Sequence, residues 1–188
     1  MTFRTAAFII FGGLTGLCGA NAEDTTIIRT NTYTVSGTTI REIRADLARK
    51  RPWKSELDGY TAWKIDWSYR TETTESGCRL HSFNVRTEIT ITVPRWTPPE
   101  NTDPQTKANW AAYISGLLAH EDGHKRIALA AANEVRSRVK QVASATTCGE
   151  LDAAIKREAD KAVEEFKRRE KLYDERSDHG RKDGATFR

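Results

Sequence analysis

The sequence predicts an α+β fold: a small antiparallel sheet packed on one long helix and closed by a second, antiparallel helix. Three observations predict it. Apolar residues alternate with polar ones at Trp63, Ile65, Trp67 and Tyr69, and again at Phe83, Val85, Ile89, Ile91 and Val93, the period of half-buried strands. From about Gln105 to Val142 the period becomes helical, with Trp110, Tyr113, Leu117, Ala128, Ala131, Val135, Val139 and Val142 on one stripe. Past a break at Thr146 to Gly149, a second helical pattern from about Glu150 to Leu172 buries Leu151, Ile155, Ala162 and Phe166. Strands first and helices afterwards is the order of an α+β domain.

Taken in order, the chain opens with Arg4, an apolar run from Ala6 to Leu17 and the small-residue stretch Ala20-Asn21-Ala22. That is the pattern of a secretory signal cleaved after Ala22. The expectation is a signal peptide over residues 1–22 and a single domain over residues 23–188, exported to a periplasm or secreted. Leu17 before Cys18 is too bulky for a lipid-attachment site. The apolar run is too short to span a bilayer and no later stretch is long enough, so no membrane insertion is expected after cleavage.

A short strand is expected from Thr32 to Ser36, then a helix from Ile40 to Ala48 capped by Thr39 and ended before Pro52. Glu75-Ser76-Gly77 joins the two long strands as an antiparallel hairpin, the second strand ending at Pro94. The proline-rich stretch from Trp96 to Pro104 reads as a surface linker, and the tail from Tyr173 to Arg188 has no periodicity. The small residues Ala128, Ala130, Ala131 and Ala132 fit a cleft floor or ordinary helix packing equally well.

Thirty basic residues face 26 acidic ones, a net charge of +4, which loss of Arg4 would reduce by one. The two signs interleave, notably from Lys156 to Lys171, as on a solvated helix face, and no nucleic-acid partner is expected. Export would leave two cysteines, Cys78 and Cys148, and a lone pair in an oxidising compartment favours a disulfide over a metal site.

The chemistry is concentrated at His120-Glu121-Asp122-Gly123-His124. This H-E-x-x-H spacing puts two imidazoles one helical turn apart, able to reach one tetrahedral zinc ion, with a carboxylate between them. All three side chains project into the apolar stripe of the long helix. An unpaired carboxylate buried there costs several kcal/mol, so Glu121 requires a cation, a strong donor or a water-filled cleft. Hydrogen-bonded core histidines are the alternative for each histidine alone; the pair bracketing a glutamate favours metal.

A catalytic zinc takes three protein ligands and leaves one position for water. Glu134 is too far along the helix, about 15 Å from His124, and no glycine soon after His124 breaks the helix to return a local ligand. In an antiparallel hairpin turning near residue 146, residues near 168 stand beside the motif, and Tyr173, Asp174 and His179 follow within reach. Glu158 and Glu165 lie nearer the turn. His179 is the expected third zinc ligand.

The chain resembles a family of bacterial predicted secreted zinc-dependent proteases, known as domain of unknown function 922. The likeness spans nearly all of residues 23–188: Tyr33-Thr34-Val35-Ser36-Gly37, the Trp63 and Trp67 strand, Cys78, Pro94-Arg95-Trp96, the His120 to His124 motif, Cys148, and Tyr173-Asp174-Glu175-Arg176-Ser177-Asp178-His179-Gly180. Family members often carry Thr where this chain has Ser177, which keeps the hydroxyl. The resemblance implies a zincin-like metallopeptidase and again singles out Tyr173, Asp174 and His179.

The expected mechanism has zinc on His120, His124 and His179, and Glu121 as general base toward water attacking a peptide carbonyl. Tyr173 would stabilise the oxyanion and Asp174 would orient a ligand imidazole. A peptide or protein substrate could add along an exposed edge of the Phe83 to Val93 strand. The rival reading is a non-catalytic periplasmic zinc-binding or interaction protein, which a fourth ligand closing the coordination, such as Asp174, would favour. The sequence names no substrate, cleavage preference or oligomeric state.

Overall fold

A computed structural model describes residues 24–187; the expected signal segment, residues 1–22, lies outside the described residues. The elements are β1 (Thr25–Val35), α1 (Ile40–Lys50), β2 (Tyr60–Thr74), β3 (Gly77–Trp96), α2 (Pro104–Gln141), β4 (Ser144–Ala145), α3 (Cys148–Ser177) and a 3-10 turn (Arg181–Asp183). The fold is α+β.

The sheet is mixed, which corrects the expectation of an antiparallel one. Strand order is β1-β3-β2, with β1 parallel and β2 antiparallel to β3, while β4 pairs with the start of β3 through Cys78 and Arg79. Alternation reports which face is buried and carries no information on strand direction, so it could not show that β1 crosses over through α1 to lie parallel to β3. From Arg86 to Thr92, β3 is hydrogen-bonded on both sides. The expected edge for strand addition on Phe83 to Val93 is thus largely occupied, and the free edges belong to β1 and β2. Pro94 does not end β3, because β2 pairing stops at Thr92 and beyond it only β1 flanks the strand. A missing N–H is tolerated there.

Local sequence sets the helix starts. Thr39 and Thr147 each form a reciprocal capping box, with Glu42 and Glu150, and Asp103 caps α2 with Pro104 in its first turn. Contacts between Arg138 and Glu165, then His124 and Glu170, then His120 and Asp174 show α2 and α3 running antiparallel. Their interface and the covered sheet face enclose one core of Ile65, Val85, Val135, Val139, Leu151, Ile155 and Phe166. Ala131 and Ala132 meet this core with Ala159 and Ala162, the ordinary close packing of two helices. A second core joins Val35, Ile43, Leu47, Val93, Trp96, Trp110, Tyr113 and Leu117 beneath α1. The Cys78–Cys148 disulfide ties the start of β3 to the start of α3.

The helix α3 runs to Ser177, five residues past its expected end at Leu172. Tyr173 and Asp174 are therefore helical. Asp178 and His179 then turn the chain in the left-handed region, each at φ 50°.

Candidate metal centre

His120, Glu121 and His124 sit mid-way along α2, only 3%, 2% and 6% exposed. One turn apart, the two imidazoles stand 4.8 Å between ring centres. Asp174, on the facing stretch of α3, offers one oxygen to both: Oδ1 is 3.2 Å from His120 Nε2 and 3.0 Å from His124 Nε2. The two Nε2 atoms are 3.2 Å apart. Zinc bonds of about 2.0–2.1 Å at tetrahedral angles separate donors by roughly 3.3 Å, so this triangle has the size of one face of such a coordination shell.

The back of each ring meets a carboxylate. His120 Nδ1 is 3.2 Å from Asp183 Oδ2. His124 Nδ1 is 3.3 Å from Glu170 Oε1, close but without the alignment of a hydrogen bond, and Trp63 Nε1 donates to that same oxygen at 2.9 Å. Carboxylates behind both rings leave Nε2 facing the centre, as in metal-binding histidines. Two protons on the facing nitrogens would crowd each other, and any unprotonated nitrogen turns a lone pair toward an anionic oxygen. A cation satisfies all three donors at once, so the residues present fit zinc.

Burial holds the His124 imidazole down, but Asp174 and Glu170 outweigh it and push the group up to about 9. Burial likewise pushes Asp174 up, and the two histidines reverse this, holding it well below the usual carboxylate range. Glu121 is raised, mainly by burial, against the opposing pull of the Thr61 hydroxyl and the histidines.

Thr61 Oγ1 donates to Glu121 Oε2 at 2.6 Å. Glu121 Oε1 abuts Gly59, where a Cβ would stand 2.5 Å from it, so only glycine leaves this carboxylate its place. Asp58, just before Gly59, is anchored twice: Tyr33 donates to its carbonyl at 2.7 Å and Tyr113 to its Oδ2 at 2.9 Å. Asp58, Gly59, Thr61 and Glu121, together with His120, His124 and Asp174, border a cleft of about 250 Å³.

Of the expected site residues, His120, His124 and Asp174 are brought together as donors. His179 borders the cleft but lies outside that group, its Nδ1 3.6 Å from Asp174 Oδ1 and its side chain 48% exposed. Tyr173 faces away from the cleft opening: its ring stacks on His120 at 5.0 Å and its hydroxyl donates to the His120 carbonyl at 3.2 Å. Burial and Asp183 push that hydroxyl up to about 12. Tyr173 also lies so close to Gly123 that a Cβ there would overlap its phenol. Glu165 is engaged by Arg138 and Arg169, and Glu158 by Lys161 and Arg157.

Thr61, Glu170 and Asp183 escaped sequence reasoning. Thr61 belongs to the buried alternation of Trp63 and Ile65, and Glu170 lies one turn before Asp174 on the same face of α3, so both carried a signal. Asp183 carried none, since a 3-10 turn in a charged tail delivers it.

Searches among curated proteins and among solved structures return no match. A family model does match, over residues 30–180, which is most of the chain, and on that evidence the chain belongs to the family described as bacterial protein of unknown function (DUF922).

Proposed function

We propose that this protein is an exported zinc-dependent peptidase of the zincin type. The observation that carries the proposal is the convergence of His120 Nε2, His124 Nε2 and Asp174 Oδ1 beside the buried Glu121, at the floor of an open cleft. Those three residues would hold zinc, with Asp174 as third ligand in place of His179, and with Asp183 and Glu170 fixing the two rings. Zinc, when bound, would supply the Lewis acid that makes a water nucleophilic near neutral pH and polarises a carbonyl.

The chain's own contribution is proton handling and orientation. Glu121 takes the proton of the attacking water at Oε1 and returns it to the leaving amine, while Thr61 keeps Oε2 engaged. Its raised proton affinity suits that task. Tyr173 holds the His120 ring and backbone. His179 presents an imidazole from the cleft wall toward the substrate. An extended peptide fits beside the first residues of β2, where Tyr60 and Thr61 border the cleft on an edge strand.

The rival, a non-catalytic zinc-binding protein, would be favoured by a fourth donor closing the group. Among the described residues the group has three members, which supports an open position. The test is metal analysis of the purified chain beside the Glu121→Gln variant, with hydrolysis assayed on a broad panel of unfolded proteins. About one zinc per chain in both, and hydrolysis by the parent alone, is expected. Equal inactivity of the two on the whole panel would favour the rival.

A further inference from the structure

A second cavity, of about 550 Å³, adjoins the metal cleft and shares Leu57, Asp58, Leu117 and His179 with it. Its walls come from α1, the segment around residues 55–58, α2 and the tail after α3. The floor is apolar: Tyr113 and Leu47 are 2% exposed, and Phe187 stacks on Tyr113 at 4.1 Å. A volume of this order holds a ligand fragment of several side chains.

The walls are cationic. Arg44, Arg51 and Arg181 line the cavity, against two acids, Glu56 and Asp58. Asp58 is already committed, with Oδ2 accepting from Tyr113 and Oδ1 3.9 Å from Arg51. Arg181 pairs with Asp178 at 3.2 Å, outside the cavity lining. Arg44 has no carboxylate within ion-pair distance among the described residues and lies over the Phe187 ring, 5.8 Å from its centre. A guanidinium stacked on an aromatic ring keeps its edge free for bidentate binding of a carboxylate. Arg51, 18% exposed, caps the C-terminal end of that helix seven residues later and lines the same cavity.

We propose that this cavity is a substrate subsite for a carboxylate, carried by the peptide segment that extends from the metal cleft, with Arg44 and Arg51 as its recognition pair. The inference rests on the peptidase reading only for the identity of the chain bearing the carboxylate. Two sources share this chemistry, an acidic side chain and a peptide C-terminus, and the test separates them.

The zinc-loaded Glu121→Gln protein is titrated with short fluorescent peptides in which one glutamate is walked along an alanine-rich sequence. Each is paired with its glutamine counterpart, and each is made with a free and an amidated C-terminus. Peptides with a carboxylate at one fixed distance should bind on the order of tenfold more tightly than their neutral partners, and the preference should vanish in an Arg44→Gln, Arg51→Gln double variant. Preference for glutamate irrespective of amidation assigns a side chain; loss on amidation assigns the terminus. Charge-independent binding, a preference that survives the double variant, or no binding by any peptide would each overturn the subsite. Because Arg44 is exposed and Arg51 stands 3.9 Å from an Asp58 that Tyr113 already holds, circular dichroism and zinc content of the double variant should match the parent, and Arg181→Gln alone should reduce the preference only partly. Carboxylate-selective binding without hydrolysis by the parent protein would refute the peptidase reading and keep the subsite, while hydrolysis without selectivity would do the reverse.

Discussion

Asp174 and His179 stand five residues apart on either side of a helix end, and which of them would hold a zinc ion decides how the proposed site would work. Asp174 Oδ1 lies within 3.2 Å of both facing nitrogens, whereas His179 approaches only Asp174. Asp174→Ala should therefore weaken zinc binding by more than the roughly 10–100-fold typical of residues behind a ligand, and His179→Ala should change it by less than about threefold. Competition against a fluorescent chelator measures both, and the reverse ranking would restore His179 as the ligand. Asp46, far from the site, is the other informative carboxylate. It is 3% exposed and accepts from Ser36 N at 2.8 Å, Ser36 Oγ at 2.9 Å, Lys50 at 3.0 Å and Arg49. Burial pushes its carboxyl up, but Lys50, the Ser36 donors and Arg49 overcome this and hold it well below the ordinary range. A depressed folded-state value means that the stabilisation is complete above the unfolded value of about 3.9 and fades as pH falls below it. Asp46→Asn should cost about 1.5–3 kcal/mol at pH 7. Urea unfolding should show the gap to the parent shrinking between pH 5 and pH 2; a constant gap would refute the assignment.

At the scale of elements, the site depends on how closely α3 passes α2. Tyr173 rests against Gly123 and stacks on His120, so one contact sets both the helix spacing and the ring orientation. Gly123→Ala adds a methyl where the phenol already sits. Although alanine favours an isolated helix by about 1 kcal/mol over glycine, overpacking of about 1–3 kcal/mol should win. The variant should melt lower and bind zinc more weakly. Pairing it with Tyr173→Phe, which shortens the tight contact by the hydroxyl, should recover part of the melting temperature; no recovery would mean that the loss arises elsewhere.

For the whole molecule, the disulfide joins the sheet to the helical hairpin across 70 residues of chain. Closing a loop of that length is worth on the order of 4 kcal/mol through the entropy of the unfolded chain. A Cys78→Ser, Cys148→Ser variant should lose about that much stability in denaturant unfolding, with zinc still bound when folded, because neither cysteine is near the cleft. A loss below about 1 kcal/mol would show that the sheet and helices hold each other without the staple. Among the described residues, no helix is long and apolar enough to cross a membrane.

By itself the sequence determined the elements with strong periodicity or caps. Thr39 opens α1, the alternating strands form a hairpin at Glu75-Ser76, and His120, Glu121 and His124 fall on the buried side of α2 because spacing along one helix is a local property. The hairpin register was also legible to within two residues, since His124 faces Glu170 where residue 168 was expected. Tertiary structure alone decided what local pattern does not encode. Strand direction is invisible to alternation, so the parallel pairing of β1 emerged only when β3 was seen inserted between β1 and β2. The continuation of α3 through Tyr173 and Asp174 is unsupported by any apolar stripe in that polar segment; it follows from Tyr173 packing on α2, and it brings Asp174 rather than His179 to the two imidazoles. Thr61 and Asp183 reach the centre from elements far before and far after the motif in the chain, and such meetings are fixed by the packing of distant elements, because the free energy that selects them comes from burial across the sequence and not along it.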